Sequence, residues 1–468
     1  MNVRPPWWVH PVNALIAPAA GRRPRSPERS FEAAMRAASR TSGLPWLTDE
    51  PFLSDLRVLH DAWHEVPDLT PIGRIAVQAE IRRHLATRLR MLHLLDVHPE
   101  VAEEPIDRPV VITGLPRTGT TFGHGLLAQR ADVRAPRLWE LWSPVPDTGR
   151  PGERTLSRRR RLAAARTRVR SFDAMIPGFQ TIHPMHPLEP EECVFALPHS
   201  LGHHVRAPVP GYRAWFERRD TVPDYLHLRR QLQALQWRRK RRRWVLKSPF
   251  HLLTLDALLT VFPDATVVLT DRDPARAMAS WGSLAEAGMS AHCADVNPRW
   301  IGREWLEIWS RGAERARAVR RAHDPERFLD MPYGELTADP VGTAERLWRR
   351  MGEGFDADCR ARVLAYTRRD RRKDPGGHRY GLDRYGLDPD RVRAAFGPDP
   401  RSGPNAAESP RRTRPARGCG GEPGAVVPGA PPPEARRWCP RAVRRRVRPG
   451  HRPARPRPPC PGASGTGP

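Results

Sequence analysis

The chain has 468 residues, 39% of them hydrophobic and 28% charged, and a formal net charge of +27. That length suffices for one large domain with appendages or for two domains. No run approaches the roughly 20 continuous apolar residues that a membrane helix needs. Arg4, Pro5, Pro6, His10 and Pro11 break up the first twenty positions, so they do not read as a secretory leader. The six cysteines form no CxxC pair, which argues against a zinc site or a disulfide framework. A cytoplasmic setting without membrane contact is the expectation. The positive charge is concentrated in Arg158–Arg161, in Arg238–Arg243 and beyond Gly397. With no aromatic–basic interleaving or recognition motif beside it, this pattern reads as solvated arginine rather than a specific nucleic-acid surface.

In chain order, residues 1–29 are rich in Pro and Arg and are expected to be extended or flexible. Residues 30–107 are expected to form a helical extension packed on the body. In it Ile72, Ile75, Ala76, Ile81, Leu85, Leu89 and Leu92 recur at helical spacing. The period changes at Arg108. Pro109–Thr113 is a β-branched run typical of a buried parallel strand, and a helical stretch from Phe122 to Gln129 follows. Trp244–Lys247, Ala265–Thr270 and the weaker Arg327–Asp330 are further strands, with helical segments between them. The alternation predicts an α/β body over 108–396: a P-loop-like three-layer domain with a central parallel sheet. Residues 397–468 hold no Leu, Ile, Met, Phe, Tyr or Lys. Such a tail cannot bury enough apolar surface to order itself, so disorder is expected. Its Pro, Arg, Gly and Ala are also what GC-rich codons read in a shifted frame would encode.

Between the first strand and its helix lies Gly114-Leu115-Pro116-Arg117-Thr118-Gly119-Thr120-Thr121. A Gly-bounded loop in that place aims backbone N–H groups and the positive end of a helix at an anion. Its spacing mimics a Walker A loop, but Thr120 stands where the Walker lysine would be. A P-loop kinase or NTPase is therefore the first rival reading, and a nucleic-acid binder using the basic tail is the second.

These eight residues resemble the phosphosulfate-binding loop of sulfotransferases, in particular the bacterial branch that reads GLPRTGTT. Two further segments extend the resemblance. Thr270-Asp271-Arg272-Asp273-Pro274 follows a strand, with Ser280 eight positions beyond Arg272; the family holds its donor's 3′-phosphate with an Arg and a Ser so spaced. Trp244–His251 is similar to the segment in which a strand delivers a catalytic lysine, here Lys247. The resemblance implies 3′-phosphoadenosine 5′-phosphosulfate as co-substrate and a small-molecule acceptor; no metal is expected, since the sequence shows no ligand cluster. Arg117, Thr118, Gly119, Thr120 and Thr121 would hold the 5′-phosphosulfate, and Arg272 and Ser280 the 3′-phosphate. Lys247 would stabilise the leaving oxygen.

For the base that takes the acceptor proton, the cytosolic branch places a His two residues after the lysine, where this chain has Pro249. Glu140, which sits where the tyrosyl-protein branch keeps a catalytic Glu, and His251 are the candidates. His183-Pro184-Met185 with Glu189–Cys193 resembles an acidic segment of the bacterial branch, with acceptor contacts implied. Tyr333–Leu336 and His378-Arg379-Tyr380 resemble later segments, the first structural and the second near the nucleotide.

Overall fold

The computed structural model describes residues 9–20, 26–46, 51–146, 157–176, 179–371 and 381–397. Four helices come first: α1 (Val9–Ala20), α2 (Pro27–Ser42), α3 (Pro51–Glu65) and α4 (Pro71–Val97). The opening stretch read as extended thus contains a helix, which packs on α4 and whose Asn13 Oδ1 accepts from the Ile72 amide at 3.0 Å. Helix α4 starts where the sequence sets it to start. Thr70 accepts a bond from the Gly73 amide, and Pro71 supplies a φ already suited to the first turn.

The body follows: β1 (Val110–Gly114), α5 (Thr120–Leu127), β2 (Val133–Arg134), α6 (Leu138–Trp142), α7 (Arg158–Met175), α8 (Phe179–Ile182), α9 (Pro210–Phe216), α10 (Val222–Gln236) and β3 (Arg243–Lys247). Then come α11 (Leu255–Val261), β4 (Thr266–Asp271), α12 (Pro274–Ser290), α13 (Pro298–Ala322), β5 (Phe328–Pro332), α14 (Tyr333–Ala338), α15 (Pro340–Arg350), α16 (Ala357–Arg371) and α17 (Pro389–Phe396). The strands lie in the order β2-β3-β1-β4-β5, and every pairing is parallel. The sequence anticipates four of these strands. The edge strand β2 is only two residues long, too short to carry a period.

Side chains alternate between two cores, which is what makes the sheet the middle of three layers. Val111, Trp244, Leu246, Val267 and Phe328 join one core, shared with Leu59, Ile81 and Leu85 of the N-terminal helices. Val110, Ile112, Val245, Val268 and Met331 join the other, against α5, α15 and α16. The first core holds an aromatic knot in which Trp305 is fully buried, 4.9 Å from the Trp281 ring and 5.6 Å from His204. Trp305→Ala is expected to remove about 3–5 kcal/mol of stability, read as a lower midpoint in urea unfolding.

The His378–Tyr380 segment and the tail beyond Gly397 lie outside the described residues.

Candidate functional site

The C-terminal ends of β1, β3 and β4 converge on one place. Register puts Gly114 opposite Thr270, and a Cβ on Gly114 would lie 2.3 Å from Thr270 Oγ1 and 2.5 Å from its carbonyl oxygen. With φ at 149° as well, the position requires glycine. Gly119, at φ 87°, ends the loop as the N-cap of α5. Arg117 holds φ 66°, a left-handed conformation that a branched-out side chain adopts only when the surroundings impose it. The Thr118 hydroxyl is 2.5 Å from Thr270 Oγ1 and donates to the Leu115 carbonyl at 2.6 Å. Thr118 is fully buried, so its side chain braces the loop. The first amides of α5 have no acceptor within the helix, which leaves them available to an anion.

The opposite wall comes from β4 and α12. Asp273 caps α12 through the Ala275 amide, which directs the chain so that Ser280 returns toward the loop. Arg117 Nε donates to Ser280 Oγ at 2.9 Å, and Arg272 Nη1 donates to the Arg117 carbonyl at 2.9 Å. The Arg272 guanidinium lies over the Tyr333 ring, 4.2 Å from its centre. Two guanidiniums and a hydroxyl, from the loop after β1 and from the distant β4–α12 segment, therefore meet beside a helix N-terminus. Such a set matches a ligand with anionic groups at two places.

The floor is Lys247, the last residue of β3 and fully buried. Its ammonium donates to Glu192 Oε1 at 2.7 Å and to Thr121 Oγ1 at 3.2 Å, and lies 3.7 Å from Glu191 Oε1. His183 Nε2 is 3.5 Å from Glu191. Burial alone would raise the Glu191 carboxyl, but His183 and Lys247 outweigh it and hold the group at about 2. The carboxylates are carried here by a bridge between Arg137 and Pro190, with the Glu191 amide donating to the Pro136 carbonyl.

The sequence shows no metal-ligand cluster, yet the fold assembles His183, Glu191 and Glu192 with donor atoms within 4.8 Å of one another. The reason is tertiary: no ligand spacing links them in sequence. The Lys247 ammonium already stands against Glu192 where a cation would bind.

A sequence profile described as the sulfotransferase family matches residues 109–357, more than half of the chain. The chain belongs to the sulfotransferase family. Its fold is similar to the crystal structure of sulfotransferase STF1 from Mycobacterium tuberculosis, at 32% identity and a TM-score of 0.66, covering 78% of this chain and 98% of that one. Sulfotransferase STF9 from Mycobacterium avium gives 26% identity and a TM-score of 0.69, over 78% and 94%. The omega-hydroxy-beta-dihydromenaquinone-9 sulfotransferase Stf3 of Mycobacterium bovis is 28% identical over 336 residues, 64% of this chain and 81% of the relative.

The two sequence candidates for the base occupy different settings in this sulfotransferase. Glu140 sits in the first turn of α6, where Oε2 accepts from the Arg137 amide at 3.1 Å. Its Oε1 takes the Arg134 guanidinium at 2.6 Å and Arg239 at 3.4 Å. Both carboxylate oxygens thereby have protein donors. His251 is fully buried, and its Nδ1 meets the Tyr225 hydroxyl at 2.9 Å while Nε2 has no partner among the described residues. Burial, followed by the charge of Lys247, pushes its pKa down to about 3, so the ring is neutral near pH 7. The carboxylate that does touch the lysine, Glu192, belongs to the acidic segment that sequence reading linked only to the acceptor. Adjacent acids running into the apolar Cys193-Val194-Phe195 were the available signal, since two carboxylates at the edge of a buried run need a buried cation.

Proposed function

We propose that this sulfotransferase moves the sulfuryl group of 3′-phosphoadenosine 5′-phosphosulfate to a hydroxyl or amine of a small-molecule acceptor by in-line displacement. The observation that carries the reading is the meeting of Arg117, Ser280 and Arg272 within hydrogen-bond reach beside the α5 N-terminus. In this reading Arg117 and the amides of Thr118 to Thr121 bind the 5′-phosphosulfate, with the Thr121 hydroxyl beside them. Arg272 and Ser280 bind the 3′-phosphate. Lys247 stabilises the negative charge that grows on the bridging oxygen as its bond to sulfur breaks.

Glu192 takes the base role here. The acceptor oxygen attacks sulfur, its proton passes to the Glu192 carboxylate, and the nucleoside bisphosphate leaves. Glu192 touches Lys247 and keeps 11% of its side chain exposed, whereas Glu191 is 3% exposed and is held too acidic to accept a proton near neutrality. Glu140 and His251 remain the comparison residues. The Stf3 relative is named for an omega-hydroxylated acceptor, which supports a hydroxyl nucleophile. Among the described residues no helix is long and apolar enough to cross a membrane. We assign the residues before 108, helices α1 to α4 included, to a helical extension, 108–396 to the transferase body, 397–468 to a tail, and the reaction to the cytoplasm.

Calorimetric titration with 3′-phosphoadenosine 5′-phosphate tests the donor assignment. Arg272→Ala is expected to weaken binding by about 1.5–3 kcal/mol, the value of a hydrogen bond to a charged group. Absence of binding by the folded wild-type chain, or equal binding by the variant, would overturn the nucleotide reading.

A further inference from the structure

Away from the lysine, three arginines share one carboxylate. Glu80, on α4, is 3% exposed. It lies 2.7 Å from Arg83 Nη2, 3.3 Å from Arg168 Nη2 and 3.4 Å from Arg206 Nη2. Arg83 comes from α4 itself, Arg168 from α7, and Arg206 from the chain just after the short turn Leu201–Val205. No other carboxylate among the described residues pairs with any of the three. Three permanent positive charges thus meet one negative charge.

The titratable neighbours do not alter that balance. Burial is the largest cause lowering His84, His203 and His292, and nearby arginines push each the same way. His203 falls to about 3 and His292 to about 4, so both are neutral near pH 7, and His84 is held well below its ordinary value. Arg168 and Arg206 keep side-chain exposures of 34% and 24%, whereas Arg83 keeps 10% and has its fork on both Glu80 oxygens.

The one carboxylate of Glu80 offsets only part of the mutual repulsion among three guanidiniums, so a second anion would be attracted to them. The planar forks of arginine suit the oxygens of carboxylate, phosphate or sulfate. Position ties the cluster to the reaction. The Arg168 guanidinium lies over Trp142 at 4.9 Å, and Trp142 meets Phe195 edge-on at 5.9 Å. Phe195 is three residues past Glu192. The cluster therefore stands two ring contacts away from the segment bearing the proposed base.

We propose that Arg83, Arg168 and Arg206 form a subsite for an oxyanion carried by the acceptor, remote from the group that receives sulfur. The inference rests on the acceptor side being the Glu192 side. Glu80 acts as the resident counter-ion that keeps the arginines gathered while the subsite is empty. The acceptors selected are then anionic molecules rather than neutral alcohols.

The probe is hexyl phosphate, titrated calorimetrically into the full chain and compared with inorganic phosphate. Wild type is expected to bind hexyl phosphate saturably and more tightly than inorganic phosphate. Arg168→Ala and Arg206→Ala should each weaken it about tenfold or more, the loss of one charge-assisted bond. Glu80→Gln should tighten it, because a competing carboxylate is removed. The donor loop is unchanged in all of these proteins, so the differences among them report on the arginine cluster alone. Equal affinity across the four proteins would overturn the subsite, as would variants that melt lower without any change in affinity. Inorganic phosphate binding as tightly as hexyl phosphate would overturn the acceptor part. Should Arg168→Ala not fold, Arg168→Lys keeps the charge, removes the fork and is expected to weaken binding as well. Normal nucleotide binding with no hexyl phosphate binding would sink this inference alone; failure of nucleotide binding would sink the donor reading instead.

Discussion

Glu192→Gln is expected to lower kcat for sulfuryl transfer by about 10²–10⁴, the range that a positioned base supplies. The substitution keeps the shape of the side chain and its oxygen acceptor for Lys247, but removes the ability to take a proton. Binding of 3′-phosphoadenosine 5′-phosphate should stay close to wild type, which separates loss of chemistry from loss of the donor site. Glu140→Gln provides the contrast. Glu140 binds the Arg134 guanidinium at 2.6 Å and the Arg137 amide at 3.1 Å. Its loss should therefore appear mainly as a lower melting temperature, with kcat of the folded fraction retained. His251→Asn should likewise retain turnover, because a ring whose pKa is about 3 is a poor proton acceptor near neutral pH. Full activity in Glu192→Gln together with an inactive but folded Glu140→Gln or His251→Asn protein would move the base role to the residue so exposed.

Lys247→Met is expected to lower kcat by about 10²–10³, comparable to removing one oxyanion donor from a preorganised site. It should also change stability against pH in a direction that can be worked out. Glu191 is held at about 2 against an ordinary value of 4.5, with burial opposing the shift and His183 and Lys247 producing it. A depressed carboxyl stabilises the fold fully above its unfolded value, near pH 4.5, and loses that contribution as pH falls through about 2. Without the Lys247 charge, burial regains weight and the carboxyl rises. Acid unfolding of Lys247→Met, followed by circular dichroism, should therefore begin at higher pH than in wild type. An unchanged acid midpoint would mean that His183 alone holds Glu191 ionised.

Both expectations depend on a cluster that a linear reading could not assemble. Lys247 was legible because Trp244–His251 resembles the family's lysine-bearing strand, and a strand end in a parallel sheet is where ligands are met. Glu192 was visible only as an acid in an acidic segment. Its place beside the lysine is set by the bridge between Arg137 and Pro190. That pairing has no local period and leaves no pattern to read.

The sequence by itself determined the elements whose causes are local. Alternation between β-branched runs and helical periods specified four strands, the parallel sheet and the three-layer body. Gly114 and Gly119 marked a loop that only their backbone freedom permits. Tertiary structure decided the rest. The two-residue β2 exists because β3 offers it an edge, and α1 is helical although its Pro-rich surroundings read as extended. Arg117 meets Ser280 because β1 and β4 are neighbours in the sheet. Glu140 is engaged by Arg134, and Glu80 gathers arginines from three separate segments, because long charged side chains find partners through space. Backbone propensity acts over a few residues and is written in sequence order, whereas charge pairing and burial act between segments that only the finished fold brings together.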